Sequence, residues 1–533
     1  MAIENKLSRS FDWHNVTQFL GALNDNIFRW LLVFFLINLL GDDKAAAVSS
    51  KTGAVFVIPF LLFTPLAGIV ADRFSKRNII VMAKFAELVL MVLGLLAFYS
   101  GLQWAVYTVL FLMCTQSAFF GPCKYGIIPE LVHKDQISRA NSYMEGMTYL
   151  AIVIGTAFAP WLADFLKLNF TLAAASCVLL AVVGLLSSFR IEKTHPMSTD
   201  QTLGGQFSTK EAVRVLTIIK SDKYLLMTVL ASAYFMLLGG FAQINMIPFG
   251  MEVCGYTFIK SGYLFLIAAI GIGVGSYLAG KISGRSVEFG IVPMGAIGMA
   301  VAAMVLGVIG FAGQVENVGL TAVFVMILFF GISCGLFIVP IHAFIQMRAP
   351  EAVRGKIVAA SSFLGWIGVL VASIMIGLFC GKLDVASSTM FLALGILTLI
   401  LAVMTVIILP DFLVRLILVL LTRTIYRIRI HGEENVPAEG PALIVSNHVS
   451  WADAVVLMAT QQRRIRFVMD RAISQNRWIG WMFRLGQVIP ISGTDPPKKI
   501  VAALKQARQA MDDGYLVCIF AEGTLTRTGM LTC

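Results

Sequence analysis

Twelve stretches of about twenty mostly apolar residues, each closed by charge, glycine or proline, run through the first 409 residues. A helix of that length crosses the roughly 30 Å hydrocarbon core of a bilayer while satisfying its own backbone donors and acceptors, which irregular chain cannot do there. With 58% hydrophobic and 13% charged residues, the protein has too little polar surface to cover a soluble core of this size. The runs lie near 16–40, 53–71, 78–99, 103–122, 144–165 and 169–189, and again near 224–249, 260–280, 288–312, 318–346, 357–380 and 387–409. The expectation is an all-α polytopic membrane protein of 12 transmembrane helices in a 6+6 arrangement, with halves 1–190 and 224–409 joined by a polar linker loop at 191–223.

The charges orient this stack. With the N-terminus placed inside, the inner loops hold 19 Lys and Arg and the outer ones 5, namely Lys44, Lys51, Lys167, Lys260 and Lys382. The positive-inside rule then puts both termini in the cytoplasm. The net charge of +11 is thus a topology signal, and no nucleic-acid partner is expected. The first run is interrupted by Asn24, Asp25, Asn26 and Arg29 and lacks a small-residue cleavage site, so it is expected to remain as the first span. The eight cysteines form no CxxC pair, and no histidine cluster stands at ligand spacing, so they are read as packing residues, with no metal expected.

Past Pro410 the composition changes: residues 1–409 hold 26 Lys and Arg and 20 Asp and Glu, while the 124 residues from 410 hold 15 and 10. Residues 410–427 combine a short apolar run with Arg415, Arg423 and Arg427, the pattern of an interfacial amphipathic helix or of a tether between domains. From 428 to 533 the pattern is that of a soluble α/β domain, strand-like at 441–446, 465–468 and 515–520 and helical at 452–462 and 499–512.

Ionisable residues inside spans are costly and mark functional positions or structural ion pairs. Asp25 and Arg29 stand four apart on the first helix, and Lys84 and Glu87 three apart on the third, spacings at which each set can pair on one face. Glu145 opens the fifth span. The sharper alternative is that Asn24, Asp25, Asn26, Arg29, Lys84, Glu87 and Glu145 line a central cavity that grips a charged or zwitterionic headgroup, with Asp25 a candidate for cation or proton coupling. Gly271, Gly273, Gly275 and Gly280 lie within a span and are read as close helix packing rather than a nucleotide loop. His342, near Pro340, is read as a packing or kink-associated histidine.

The loop GIVADRFSKR at 68–77 resembles the motif between the second and third helices of the major facilitator superfamily, a glycine followed by Asp-Arg and two further basic residues. The resemblance implies a gating role for Gly68, Asp72, Arg73, Lys76 and Arg77, holding helix ends together in one state and releasing them in the other. A weaker counterpart at 280–285 fits two related halves. The stretch FLGALNDNIF at 19–28 resembles the first helix of bacterial lysophospholipid transporters of this superfamily.

After the apolar strand at 441–446 comes NHVSWAD, placing His448 and Asp453 where a strand-to-helix turn can bring them together. The carboxylate would orient the imidazole while the ring takes a proton from an alcohol. This His-x-x-x-x-Asp pattern resembles the glycerolipid acyltransferases, whose resemblance implies acyl-ACP or acyl-CoA as donor substrate, no resident cofactor, and acceptor contacts from Asn447, Glu522, Gly523, Thr524 and Arg527. The block FAEGTLTR at 520–527 carries Ala521 in place of the family's proline, and Ser492 stands where many members have arginine. Since the family continues beyond the point reached at Cys533, the acyltransferase domain at 428–533 is expected to be partial, leaving enzymatic activity of the 2-acylglycerophospholipid O-acyltransferase type open.

A superfamily carrier fused to such a domain resembles a bacterial arrangement in which a lysophospholipid transporter is joined to a 2-acylglycerophosphoethanolamine acyltransferase and often an acyl-ACP synthetase. The resemblance implies inward transport of lysophospholipids across the bacterial inner membrane and their reacylation, with acyl carrier protein a possible partner. The alternative is an exporter of an unrelated small solute carrying a vestigial lipid domain.

Overall fold

The computed structural model describes residues 7–533 except 134–135, 194–208, 284–288, 317, 351–352, 409–427, 429, 433–434, 438–439, 451, 462–464, 475–479, 481–485 and 524–533. In the first half the helices are α1 Arg9–Leu40, α2 Ala45–Arg73, α3 Lys76–Ser100, α4 Gln103–Gly126, the one-turn α5 Ile128–Leu131, α6 Ile137–Phe165 and α7 Phe170–Ser188. In the second they are α9 Lys223–Cys254, α10 Phe258–Ser283, α11 Ile291–Phe311, α12 Val318–Arg348, α13 Arg354–Phe379 and α14 Ser387–Ile408, preceded by α8 Thr209–Ser221. Twelve of these helices are long and apolar enough to cross a membrane, as the sequence predicts. The linker differs from expectation, since α8 forms inside the stretch expected to be loop.

Helix ends follow local chemistry. Ser8 accepts the Phe11 N–H at 3.2 Å and starts α1, seven residues before the hydropathic run. Asp222 accepts the N–H groups of Tyr224 and Leu225 and starts α9, which stops at Gly255 with φ of +63°, a conformation that favours glycine. Outside the bilayer helices can continue through polar residues, so these spans overrun their apolar cores.

α1 threads the first half, burying every residue from Ile27 to Ile37. α10 and α12 approach each other through glycine: a Cβ at Gly271 or Gly275 would strike the α12 backbone at Leu328 or Ile332, whereas Gly273 and Gly280 face open space. The packing role expected of this glycine series therefore holds for two of its four members. The halves meet through Ser50 Oγ donating to the Ser373 carbonyl at 2.6 Å, the stacked rings of Phe60 and Trp366 at 4.7 Å, and the pairs Trp30–Phe265 and Phe34–Phe258. These contacts join α2 between Ser50 and Phe60 to α13 between Trp366 and Ser373, and α1 to α10. Toward the 68–77 loop, Lys76 pairs with Glu130 at 2.5 Å in the first half and Arg348 with Asp222 at 2.6 Å in the second.

The C-terminal unit contains a parallel sheet in the order β1-β4-β2-β3, with β1 Ala442–Ser446, β2 Ile465–Asp470, β3 Ile489–Ile491 and β4 Leu516–Phe520. Its helices are α15 Asp453–Thr460, the one-turn α16 Arg471–Ser474 and α17 Pro497–Asp512. Val517 packs with Ala503, Ala507 and Ala510 of α17 on one face, and Leu516 and Cys518 with Ile465 and Phe467 on the other. Strands and helices fall where expected, and β3 is added just before Ser492. The interfacial segment 410–427 and the second-half loop residues Gly284 and Arg285 lie outside the described residues.

Candidate transport cavity and candidate acyltransferase site

The intramembrane charges form two arrangements, one as the spacing predicts and one not. Lys84 and Glu87, 1% and 2% exposed, pair at 2.6 Å, and Asn24 donates to the same carboxylate at 2.9 Å. Gly21 makes room for this pair, since a Cβ there would meet the Lys84 ammonium. Asp25 and Arg29, by contrast, turn to different helices. Asp25 accepts from Ser117 on α4 at 2.7 Å, while Arg29 donates to Gln243 on α9 at 3.2 Å and lies over the Phe56 ring at 4.2 Å. The i,i+4 pair expected from spacing is therefore not made. The guanidinium, on a side chain only 8% exposed, has no carboxylate within ion-pair distance among the described residues. Asp25 Oδ1 and Asn24 Oδ1 are buried with no protein hydrogen-bond partner, and Asn26 is satisfied by the Ala22 carbonyl at 2.8 Å.

Nearer the 68–77 loop, Lys124 lies inside α4 rather than in the loop to which its charge was assigned. It donates to Thr148 at 2.7 Å, which in turn donates to Gln18 at 3.0 Å; its backbone carbonyl lies 2.8 Å from His14 Nε2. A transmembrane helix tolerates proline, and α4 runs through Pro122 to Gly126. Glu145 is exposed on α6. His342 Nε2 lies 3.4 Å from Ser232 Oγ. In the loop itself, Lys76 binds Glu130 of α5 and Arg77 Nε donates to the Ile191 carbonyl at 3.3 Å. Arg73 is exposed and Gly68 faces open space. The Asp72 side chain lies outside the described residues.

In the C-terminal unit the strand-to-helix turn after β1 brings His448 Nδ1 to 3.1 Å from Asp453 Oδ2. The same oxygen accepts the N–H groups of Val449 and Ser450 at 2.7 and 2.8 Å. Burial would push the Asp453 carboxyl up, but those two backbone donors and the His448 ring outweigh it and hold the group below the usual carboxylate range. An ionised Asp453 fixes the proton on Nδ1 and leaves Nε2 as the base. From the end of β4, Glu522 accepts the His448 N–H at 3.3 Å, and the Phe520 ring stacks on the imidazole at 4.1 Å, a support that pattern reading missed. Gly523 adopts φ of +63° and closes the turn after β4 by donating to the Phe520 carbonyl. Asn447 is exposed beside the pair; Thr524 and Arg527 lie outside the described residues. Both chemical ends sit at the carboxyl edge of the sheet, where parallel sheets bind ligands.

A family model for the Major Facilitator Superfamily matches residues 17–373. The chain belongs to this superfamily. A second model, Acyltransferase, matches residues 427–533, the region that holds His448 and Asp453. Among relatives, the lysophospholipid transporter LplT of Escherichia coli O9:H4 is 26% identical over 388 residues, covering 70% of this chain and 91% of that protein. LplT of Photorhabdus laumondii is 24% identical over 379 residues, 71% and 89% of the two chains. The superfamily fold is also that of a solved POT family transporter, with a TM-score of 0.58 at 13% identity over 76% of this chain and 97% of that one, and of the nucleoside transporter NupG, with 0.58 at 12% identity over 74% and 98%. The protein is thus a multi-pass superfamily carrier followed by an acyltransferase domain, with lysophospholipid transporters among its relatives.

Proposed function

We propose that the membrane part carries lysophospholipids from the outer to the inner leaflet of a bacterial inner membrane, both termini cytoplasmic, and that the C-terminal domain reacylates them. The observation that carries the transport half is the buried Arg29 guanidinium, without a carboxylate partner among the described residues, one helix turn from the unsatisfied Asp25 oxygen. An isolated cation in a span is expensive, and a lipid phosphate supplies the missing anion with bidentate geometry. Lys84, neutralised by Glu87, serves instead to hold α1 on α3. The LplT relatives support a lysolipid as cargo.

At the C-terminal site, Nε2 of His448 takes the proton of the acceptor's free glycerol hydroxyl as its oxygen attacks the thioester carbonyl of acyl-ACP or acyl-CoA. The new ester forms, the carbon–sulfur bond breaks, and the proton passes from His448 to the departing thiolate. Asp453 stabilises the imidazolium between the two transfers, and Glu522, through the His448 N–H, sets the turn that aims the ring.

The test is movement of fluorescent lysophosphatidylethanolamine in vesicles containing the full chain. Arg29→Gln should slow it by about tenfold or more, the loss of one charge-assisted contact in a dry site, while Arg29→Lys retains part of it. Unchanged movement in Arg29→Gln would remove Arg29 from the cargo path.

A further inference from the structure

The strands of the C-terminal sheet run parallel, and their register sets what meets at the carboxyl edge. Ser446 pairs with Phe520, Phe467 with Cys518 and Asp470 with Ile491. Continued past the strand ends, that register levels His448 after β1 with Glu522 after β4, Arg471 after β2 and Ser492 after β3. Alternation along a strand also gives three of these residues one face of the sheet. His448, Glu522 and Arg471 continue the every-second-residue series of Ile444, Cys518 and Phe467, which pack in one cluster. Arg471 Nη2 donates to Asp495 Oδ2 at 2.8 Å, and the same oxygen accepts the Ser492 N–H at 2.9 Å. The Arg471 Nε is buried with no hydrogen-bond partner, while the side chain as a whole keeps 31% exposure.

The proton transfers leave this guanidinium unused, since they need only His448 and Asp453, and Glu522 sets the turn. A fork held by one arm at Asp495, with donors left over, is oriented in advance for an anion that offers two oxygens, as a phosphate does. We propose that Arg471 binds the phosphate of the acceptor lipid while the free hydroxyl of that lipid lies at Nε2 of His448. This rests on the acyl-transfer reading and names the part of the acceptor that the site grips. Only β4 separates β1 from β2, so the two side chains rise from strands about 10 Å apart. A glycerophospholipid carries its hydroxyl and its phosphate on one glycerol, and with the arginine arm it bridges that gap. The phosphate of the donor's pantetheine arm lies at the far end of that arm from the thioester carbon, well past Arg471 when the thioester faces His448.

The experiment measures initial rates of acyl transfer by the full chain in detergent, where lysophosphatidylethanolamine reaches the domain without being transported. The acceptor and the donor, acyl-ACP or acyl-CoA, are varied in turn. Arg471→Gln should raise the acceptor KM by about tenfold, one charge-assisted contact, and leave kcat and the donor KM within about twofold. Arg471→Lys, which keeps the charge but not the fork, should fall between wild type and Arg471→Gln. A raised donor KM with the acceptor KM unchanged would assign Arg471 to the donor phosphate and overturn the proposal. A lower kcat with both KM values unchanged, the mark of a structural ion pair, would overturn it too. If Arg471→Gln yields no folded domain, Arg471→Lys decides by the same split. Product from the wild-type chain with an acceptor KM that neither variant moves would overturn this assignment alone. No product from the wild-type chain with either donor would overturn the acyl-transfer reading and the assignment with it.

Discussion

Asp453 shows how one side chain can fix a catalytic geometry. Its Oδ2 collects three donors, two of them backbone N–H groups that hold the turn and one the imidazole it orients. Asp453→Asn loses the anion and offers an amide in its place, so acyl transfer should fall by about 10²–10⁴-fold, measured with lysolipid acceptor and acyl thioester. The folded carboxyl titrates below its usual range, so its stabilising contribution is full above the unfolded value of about 3.9 and is lost as pH falls through the lower folded value. Hydrogen exchange on the full chain should show the Val449 and Ser450 amides protected from pH 7 down to about 4 and released only as pH falls through the lower folded value, whereas Asp453→Asn should show them less protected throughout. The His448–Asp453 pair was legible because both members belong to one short turn. Asp25 and Arg29 were not, because their partners Ser117, Phe56 and Gln243 sit on helices remote in sequence, and i,i+4 spacing states only what can pair locally.

Among the elements, the spans were the most legible, because a bilayer demands about twenty apolar residues of each. What escaped were the polar ends of helices, where water satisfies backbone groups and hydropathy has no signal. The extension of α4 to Gly126 brings Lys124 and Tyr125 into the helix rather than the loop, and α6 begins at Ile137, ahead of its apolar run. β3, at three residues, is too short to carry a period, and parallel pairing with β2 defines it instead. The glycines of α10 separate packing from tolerance. Gly275→Leu should force α10 from α12 and cost about 1–3 kcal/mol or more, seen as a lower thermal midpoint in detergent, while Gly273→Leu should leave the midpoint near wild type. Equal effects would contradict the backbone contact assigned to Gly275.

At the scale of the whole chain, a carrier and an acyltransferase domain share one polypeptide, and each site handles a different part of the same proposed lipid. On this proposal Arg29 meets an anion inside the membrane, and His448 meets a hydroxyl in water. The fused order of domains was legible from the shift in charge density past Pro410 and from the His448 motif, since both are local in sequence. Which helices join the two halves was not, because contacts such as those of α2 with α13 lie between segments remote in sequence. The most direct measurement supplies lysophosphatidylethanolamine to the outer leaflet of vesicles containing the full chain and an acyl thioester only on the side of the C-terminal domain. The account predicts diacyl product in wild type, lysolipid moved but not acylated in His448→Ala, and about tenfold less of both in Arg29→Gln. Product formed equally by His448→Ala, or lysolipid left unmoved by the wild-type chain, would contradict it.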